Sequence, residues 1–304
     1  MKIIFLGTPK FAATVLDAIM MSRHEVLCAV TQPDTVKGKK NVYSPLKSYC
    51  LSKGLTVFDW QNINESGIEV LKNYKADIMV TAAYGQMLSQ SVLNINRYGV
   101  INVHGSLLPL LRGASPVQSA LVLGLEQTGV TIAKTALKMD SGDIIMQAAA
   151  KISDTDTADS LFDKLAVLGG DLLVKALNAI EDNTATFTPQ DFQLATYCKK
   201  IKASDEKIDF SLSSKEVSCL IRGLSSNPGA YTFFNGKRLK IYNCIQIKTE
   251  EDLKAGQLLY TKKELIIGCG TGAISVTDLQ LSESKRMKTA DFLNGIKTRP
   301  LFLG

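Results

Sequence analysis

Residues 98–109 read YGVINVHGSLLP, and the pattern within them decides the fold. Gly99 to His104 is a short apolar run with Val and Ile, the composition of a strand buried on both faces. Asn102 and His104 are two apart, so an extended chain turns both to one side and Val103 to the other. Gly105 then lets the backbone turn or come close to a ligand. Open α/β sheets bind ligands at the carboxyl ends of their strands, which makes this the predicted place for an amide and an imidazole to do chemistry. His104 is one of two histidines in the chain. A buried structural imidazole is the competing reading, because perturbed titratable groups are often merely structural.

Outward from this stretch the same grammar repeats. Lys2 to Leu6 reads as a first buried strand and Gly7-Thr8-Pro9 as a turn, with Pro9 suited to the first turn of a helix ending near Met21. No G-x-G-x-x-G follows, so a nicotinamide or flavin cofactor is set aside. Glu25–Thr31, Leu55–Phe58 and Asp77–Ala83 read as further strands, and Ser44–Lys53 and Glu65–Tyr74 as helices. This alternation predicts right-handed crossovers and an α/β, Rossmann-like, mostly parallel sheet. His24, just before the second strand, reads as a turn or surface residue. Pro116–Leu123 reads as a helix, Val130–Leu137 as a strand, and Lys138–Asp143 as a turn into another strand at Ile144. Asp154 or Thr155 is placed to cap a helix through Glu181.

Composition shifts between Asn183 and Glu206, which predicts a first domain over 1–188, a linker over 189–205 and a second domain over 206–304. After a helix near Ser214–Gly223, the second domain holds five short strands within about ninety residues, punctuated by glycine turns and an Asn235-Gly236 hairpin signal. That pattern suits a small OB-like β-barrel. From residue 201 onward there are 16 Lys+Arg against 11 Asp+Glu, whereas residues 1–200 hold 19 against 18. A basic surplus in one third of the chain suits a polyanionic partner or a solvated surface.

At 304 residues, 45% apolar and 21% charged, the chain has the composition of an ordinary globular protein. No apolar stretch approaches a membrane span, and Gly7-Thr8-Pro9 ends the opening apolar run too early for a signal peptide. Its six scattered cysteines form no C-x-x-C pair and have no histidines nearby, so reduced thiols in the cytoplasm are expected rather than disulfides or zinc. Gln32 to Asn41, with Lys37, Lys39, Lys40 and Gly38, reads as a mobile basic loop, either a solvated turn or a grip on phosphate. Ala82-Ala83-Tyr84-Gly85 places small residues at a strand's end and leaves room for a flat ligand.

Asp140 lies thirty-six residues beyond His104, in a glycine-bearing turn. A carboxylate there can bond one ring nitrogen of His104 and fix its tautomer, while Asn102 offers an N–H to an oxyanion. The set holds no Ser or Cys nucleophile in an elbow and no metal cluster. It therefore suits direct acyl transfer, in which an amine attacks a bound carbonyl.

Several motifs in order now resemble one family: IIFLGTPKFA, VTQPD, AAYGQML, INVHGSLLP, LRGASPVQ, TGVTI, MDSGDI, NPGAYTFFNGKRLKIY and ADFLNG. Together they span nearly the whole chain and are similar to methionyl-tRNA formyltransferases. The resemblance implies transfer of a formyl group from 10-formyltetrahydrofolate to the amino group of initiator methionyl-tRNA, with no metal, by a cytoplasmic monomer. It implies Asn102, His104 and Asp140 as the catalytic set. It implies Ser106, Leu107, Leu108 and Pro109 as folate-binding, with Tyr84, Gly85, Gln86, Met87 and Leu88 lining the pterin pocket. Lys37, Lys39 and Lys40 fall in the position of the family's tRNA-acceptor loop. Arg112 is grouped with these tRNA contacts and is expected to help hold the active-site loop, with a structural ion pair as the alternative.

Overall fold

The computed structural model describes all residues except 38–39 and 249–251, together with the side chains of all but Lys37, Lys40 and Asn41 among the rest of the strands and helices. Two compact units emerge: Met1–Pro116 with Thr128–Lys151 and Phe162–Cys198, and Val117–Gln127 with Ile152–Leu161 and Lys199–Gly304. Residues 189–198, read from composition as the start of a linker, lie inside the first unit. The reason is a long-range pairing: Tyr197–Cys198 runs parallel to Arg112–Gly113.

In the first unit, strands β1 (Lys2–Gly7), β2 (Glu25–Val30), β3 (Thr35–Lys37), β4 (Lys40–Val42), β5 (Val57–Phe58), β6 (Ile78–Ala82), β7 (Val100–His104), β8 (Arg112–Gly113), β9 (Gln127–Lys134), β10 (Ile144–Lys151) and β11 (Tyr197–Cys198) follow in order. Seven of them form a sheet ordered β10-β9-β7-β6-β1-β2-β5. β5, β2, β1, β6 and β7 run parallel, and β9 joins β7 antiparallel. Ile3, Ile4, Phe5 and Leu6 of β1 are all fully buried, as expected for a strand covered on both faces. Burying each such side chain contributes about 1.5–3 kcal/mol. The chain runs from β1 outward to β5 and then returns to β6 on the other side of β1. The order therefore reverses between β1 and β6, and the carboxyl ends of the parallel strands β1, β6 and β7 lie along one edge of the sheet, the edge at which open α/β sheets take ligands.

Three local expectations change. The segment around the basic loop is not irregular throughout: β3 and β4 pair antiparallel, Thr35 opposite Val42 and Lys37 opposite Lys40. Glu65–Tyr74 divides into two short helices, Ile63–Ser66 and Ile68–Asn73, on either side of Gly67. The His24 ring is buried rather than at the surface, and desolvation lowers its pKa.

The second unit carries β12 (Ala230–Phe234), β13 (Lys237–Ile247), β14 (Leu258–Tyr260), β15 (Leu265–Gly268), β16 (Ala273–Leu281) and β17 (Met287–Lys288). They form a curled antiparallel, OB-like sheet ordered β12-β13-β16-β15-β14, with β17 on β16. Asn235 and Gly236, both at positive φ, make the hairpin turn between β12 and β13. Residues 301–304 lie between the two outer strands: Leu258 N donates to Leu301 O at 2.8 Å, and Gly304 N to Phe233 O at 3.2 Å. The helix Ser214–Leu224, begun by a Ser213–Glu216 capping box, packs Val217, Ile221 and Leu224 into the sheet's core. All six cysteines are buried, three in each unit. Burial pushes the thiols of Cys28 and Cys269 up to about 12 and those of Cys50 and Cys244 to about 11. No helix among the described residues is long and apolar enough to cross a membrane.

Arg222 explains why 152–161 belongs to the second unit. Its buried Nη1 donates to Asp156 O at 2.9 Å and to Ser153 O at 3.3 Å. Arg222→Ala takes this donor from Asp156 O and one of two donors from Ser153 O, which Asp156 N also reaches at 3.0 Å, and the expected loss is about 1–3 kcal/mol, read as a lower urea midpoint by circular dichroism. An unchanged midpoint removes Arg222 from this role.

Candidate active site

β7 delivers Asn102 and His104 to the crevice from its carboxyl end, as their spacing requires. On the neighbouring strand Thr81 sits opposite Asn102, and its hydroxyl donates to Asn102 Oδ1 at 2.8 Å. That bond fixes the amide so that Nδ2 turns toward Asp140, whose Oδ1 lies 3.4 Å away. His104 is buried, and its Nε2 lies 3.0 Å from the carbonyl oxygen of Leu111. A carbonyl only accepts, so Nε2 carries a hydrogen and Nδ1 is the atom left for chemistry. Nδ1 faces Asp140 Oδ1 at 3.6 Å, within ion-pair distance once the ring is charged. The other carboxylate oxygen, Oδ2, accepts from Gly113 N at 2.8 Å.

The loop after β7 is held by polar groups on β9 and β10. Thr131 donates to Ser106 O at 2.7 Å and accepts from Leu108 N and from Gln147 Nε2. Gln147 also donates to Leu108 O, and Ser106 Oγ to Leu110 O. Ala83, Leu111 and Asp140 all adopt positive φ, a region that non-glycine residues seldom occupy outside sites where strain is held by surrounding bonds. Two glycines are obligatory beside Asp140. A Cβ on Gly113, at φ +126°, would lie 2.0 Å from Cys198 O, and one on Gly142 would lie 1.9 Å from Lys134 O.

The folate-segment expectations divide. Tyr84 and Leu88 place their side chains in the hydrophobic core, and burial pushes the Tyr84 phenol above its ordinary value. Gln86 is spent on structure, accepting from Ile63 N and donating to Trp60 O. Ala83, Gly85 and Met87 are the exposed members of this run. Ser106 and Leu108 are buried, whereas Leu107 and Pro109 are half-buried beside the site.

Arg112 corrects its expected grouping with the tRNA contacts. It is fully buried, so it presents no charge to a surface phosphate. Its Nε and Nη2 donate to Gln190 Oε1 at 3.0 and 2.6 Å, and the ring of Phe192 lies 4.7 Å from its guanidinium carbon. Among the described residues it forms no ion pair either. Lys39 lies outside the described residues, and Lys37 and Lys40 are placed by backbone pairing alone. Sequence reasoning missed Thr81, the Leu111 carbonyl and Gln190. A strand-pairing register would have offered Thr81, while nothing in the pattern pointed to the other two.

An α/β sheet with an amide, an imidazole and a carboxylate at its crevice, followed by an OB-like unit, defines a class. Residues 1–177 match the family described as "Formyl transferase" and residues 200–297 "Formyl transferase, C-terminal domain". A methionyl-tRNA formyltransferase of Lachnospira eligens is 42% identical over 97% of this chain and 96% of its own. One from Staphylococcus epidermidis is 41% identical over the same shares. HypX from Aquifex aeolicus, solved in complex with tetrahydrofolic acid, shares the fold at a TM-score of 0.71 with 18% identity, covering 100% of this chain and 50% of that one. The chain belongs to the methionyl-tRNA formyltransferase family, and it is a formyl-transferring enzyme.

Because Gly113 carries both the close approach to Cys198 and the bond to Asp140, Gly113→Ala is expected to destabilise the first unit by about 2–4 kcal/mol. Thermal unfolding measures it, and a melting temperature within a degree of the parent's refutes the tight packing.

Proposed function

We propose that this enzyme transfers the formyl group of 10-formyltetrahydrofolate to the α-amino group of initiator methionyl-tRNA, with Asn102, His104 and Asp140 as its catalytic residues. The observation that carries the reading is the meeting of these three side chains at one strand end, in a chain of this family. The exposed small residues Ala83 and Gly85, at the end of β6, and the half-buried Leu107 and Pro109, after β7, are accessible to a flat bicyclic ring. When bound there, the folate supplies the activated formyl carbon.

The chemistry assigned to the chain follows from the atoms left free. As the amine nitrogen bonds to the formyl carbon, Asn102 Nδ2 holds the oxygen that becomes negative. His104 Nδ1 takes a proton from the attacking nitrogen, and the imidazolium so formed is stabilised by Asp140 Oδ1. The same ring then returns a proton to the departing folate nitrogen as the carbon–nitrogen bond breaks. Thr81 and the Leu111 carbonyl keep the amide and the ring in these roles. Lys37, Lys39 and Lys40 supply point charges suited to the tRNA backbone. The enzyme acts as a monomer in the cytoplasm.

The decisive assay mixes the protein with 10-formyltetrahydrofolate and charged initiator tRNA and follows formyl-methionine. Formylation of a small amine, or formate release without an acceptor, in place of this product would overturn the reading. His104→Ala and Asn102→Ala are each expected to lower kcat by about a hundredfold or more while the melting temperature holds. Replacing Lys37, Lys39 and Lys40 together by Ala should raise the KM for tRNA and flatten its salt dependence, and an unchanged KM excludes these lysines.

A further inference from the structure

We propose that Gln190, gripped by the buried Arg112, is a positioning residue that holds the Asp140 carboxylate against His104. The inference rests on the catalytic reading of Asp140 given above.

The Gln190 amide is fully used. Its oxygen accepts from Arg112 Nε and Nη2, and its nitrogen donates to Asp140 O at 2.9 Å and to Gly142 O at 2.6 Å. Two donors of a cation on one amide oxygen polarise that amide and strengthen what its nitrogen donates. The two accepting carbonyls straddle Ser141, so Gln190 pins both sides of the turn that holds Asp140 at φ +49°. A residue in that conformation persists only where its surroundings impose it.

Arg112 also closes the circuit through the backbone. The next residue, Gly113, donates its N–H to Asp140 Oδ2. The two residues of β8 thus hold the carboxylate directly and its main chain through Gln190. The bonds form a ring that runs from the Arg112 side chain through Gln190, the Asp140 backbone and the Asp140 carboxylate to Gly113. Among the described residues no carboxylate lies within ion-pair distance of Arg112, so its buried charge has this amide and the Phe192 face as its partners. A guanidinium fully removed from water is costly to keep, and a fold that needed only packing there would be served as well by an apolar side chain. The retained cation and amide fit a task of orientation.

Gln190→Glu separates the two halves of the grip. The carboxylate still accepts from Arg112, now as an ion pair, but it has no N–H to give to the two carbonyls and turns an oxygen toward them. The expected enzyme melts within a few degrees of the parent and keeps both KM values within about threefold. Its kcat falls by about 10–100-fold, the loss typical of a reacting group displaced by about an ångström. Because Gln190 acts through Asp140, adding Gln190→Glu to Asp140→Asn should lower kcat by less than twofold beyond Asp140→Asn alone. Gln190→Met, which removes the donors and the acceptor together, should repeat the kcat loss with a larger fall in melting temperature.

Parent-like kcat in both Gln190 variants overturns the inference, as do losses that multiply in the double variant. Failure of both variants to fold also overturns it, since the residue is then a determinant of the fold. If instead Asp140→Asn turns over like the parent, the catalytic reading itself falls.

Discussion

One backbone carbonyl decides what His104 is able to do. The Leu111 oxygen takes the Nε2 hydrogen, so the imidazole turns a defined atom, Nδ1, toward Asp140 and the crevice. Without that acceptor the neutral ring would share its proton between two nitrogens, and neither the direction of proton transfer nor the use of the carboxylate would be fixed. Leu111 holds its carbonyl there at a positive φ, and the loop carrying it is tied down by Ser106, Thr131 and Gln147. The orientation of the imidazole is therefore set by a loop carbonyl and by the polar groups of β9 and β10 that hold that loop.

The same logic extends around the crevice. Ala83, Leu111 and Asp140 follow β6, β7 and β9, and each takes a conformation that a side chain disfavours. Each is offset by named bonds: Tyr84 O accepts from Thr8 and Gln32, Leu111 N donates to Thr196, and the Asp140 turn is held by Gln190. A sheet supplies straight strands whose ends lie in a row. Strained turns at those ends aim groups back over the row, and the hydrogen bonds beneath them keep the aim fixed.

Much of this was legible in the sequence because the cause was local. Apolar runs such as Ile3–Leu6 and Ile78–Val80 signal buried strands without reference to anything distant. The two-residue spacing of Asn102 and His104 fixes their common direction. Asn235-Gly236 marks its hairpin by backbone preference alone. What escaped reading depends on contacts between remote residues. An arginine beside a glycine in a loop looks like a surface cation, and only the arrival of residues 190–198 buries Arg112. Tyr84 looks like a pocket wall until alternation around the positive-φ Ala83 turns its ring into the core. Gln190 sits in a stretch whose composition suggests a linker, and composition carries no record of a partner fifty residues away.

The six sheltered sulfur atoms give the protein a built-in gauge of its own opening. Each unit holds three, and four of them have ionisation suppressed by their surroundings, so electrophiles find little thiolate while the cores stay closed. Modification of Cys28 or Cys50 then records exposure of one core, and that of Cys244 or Cys269 records exposure of the other. The native cysteines thus make the two halves separately visible to a single reagent.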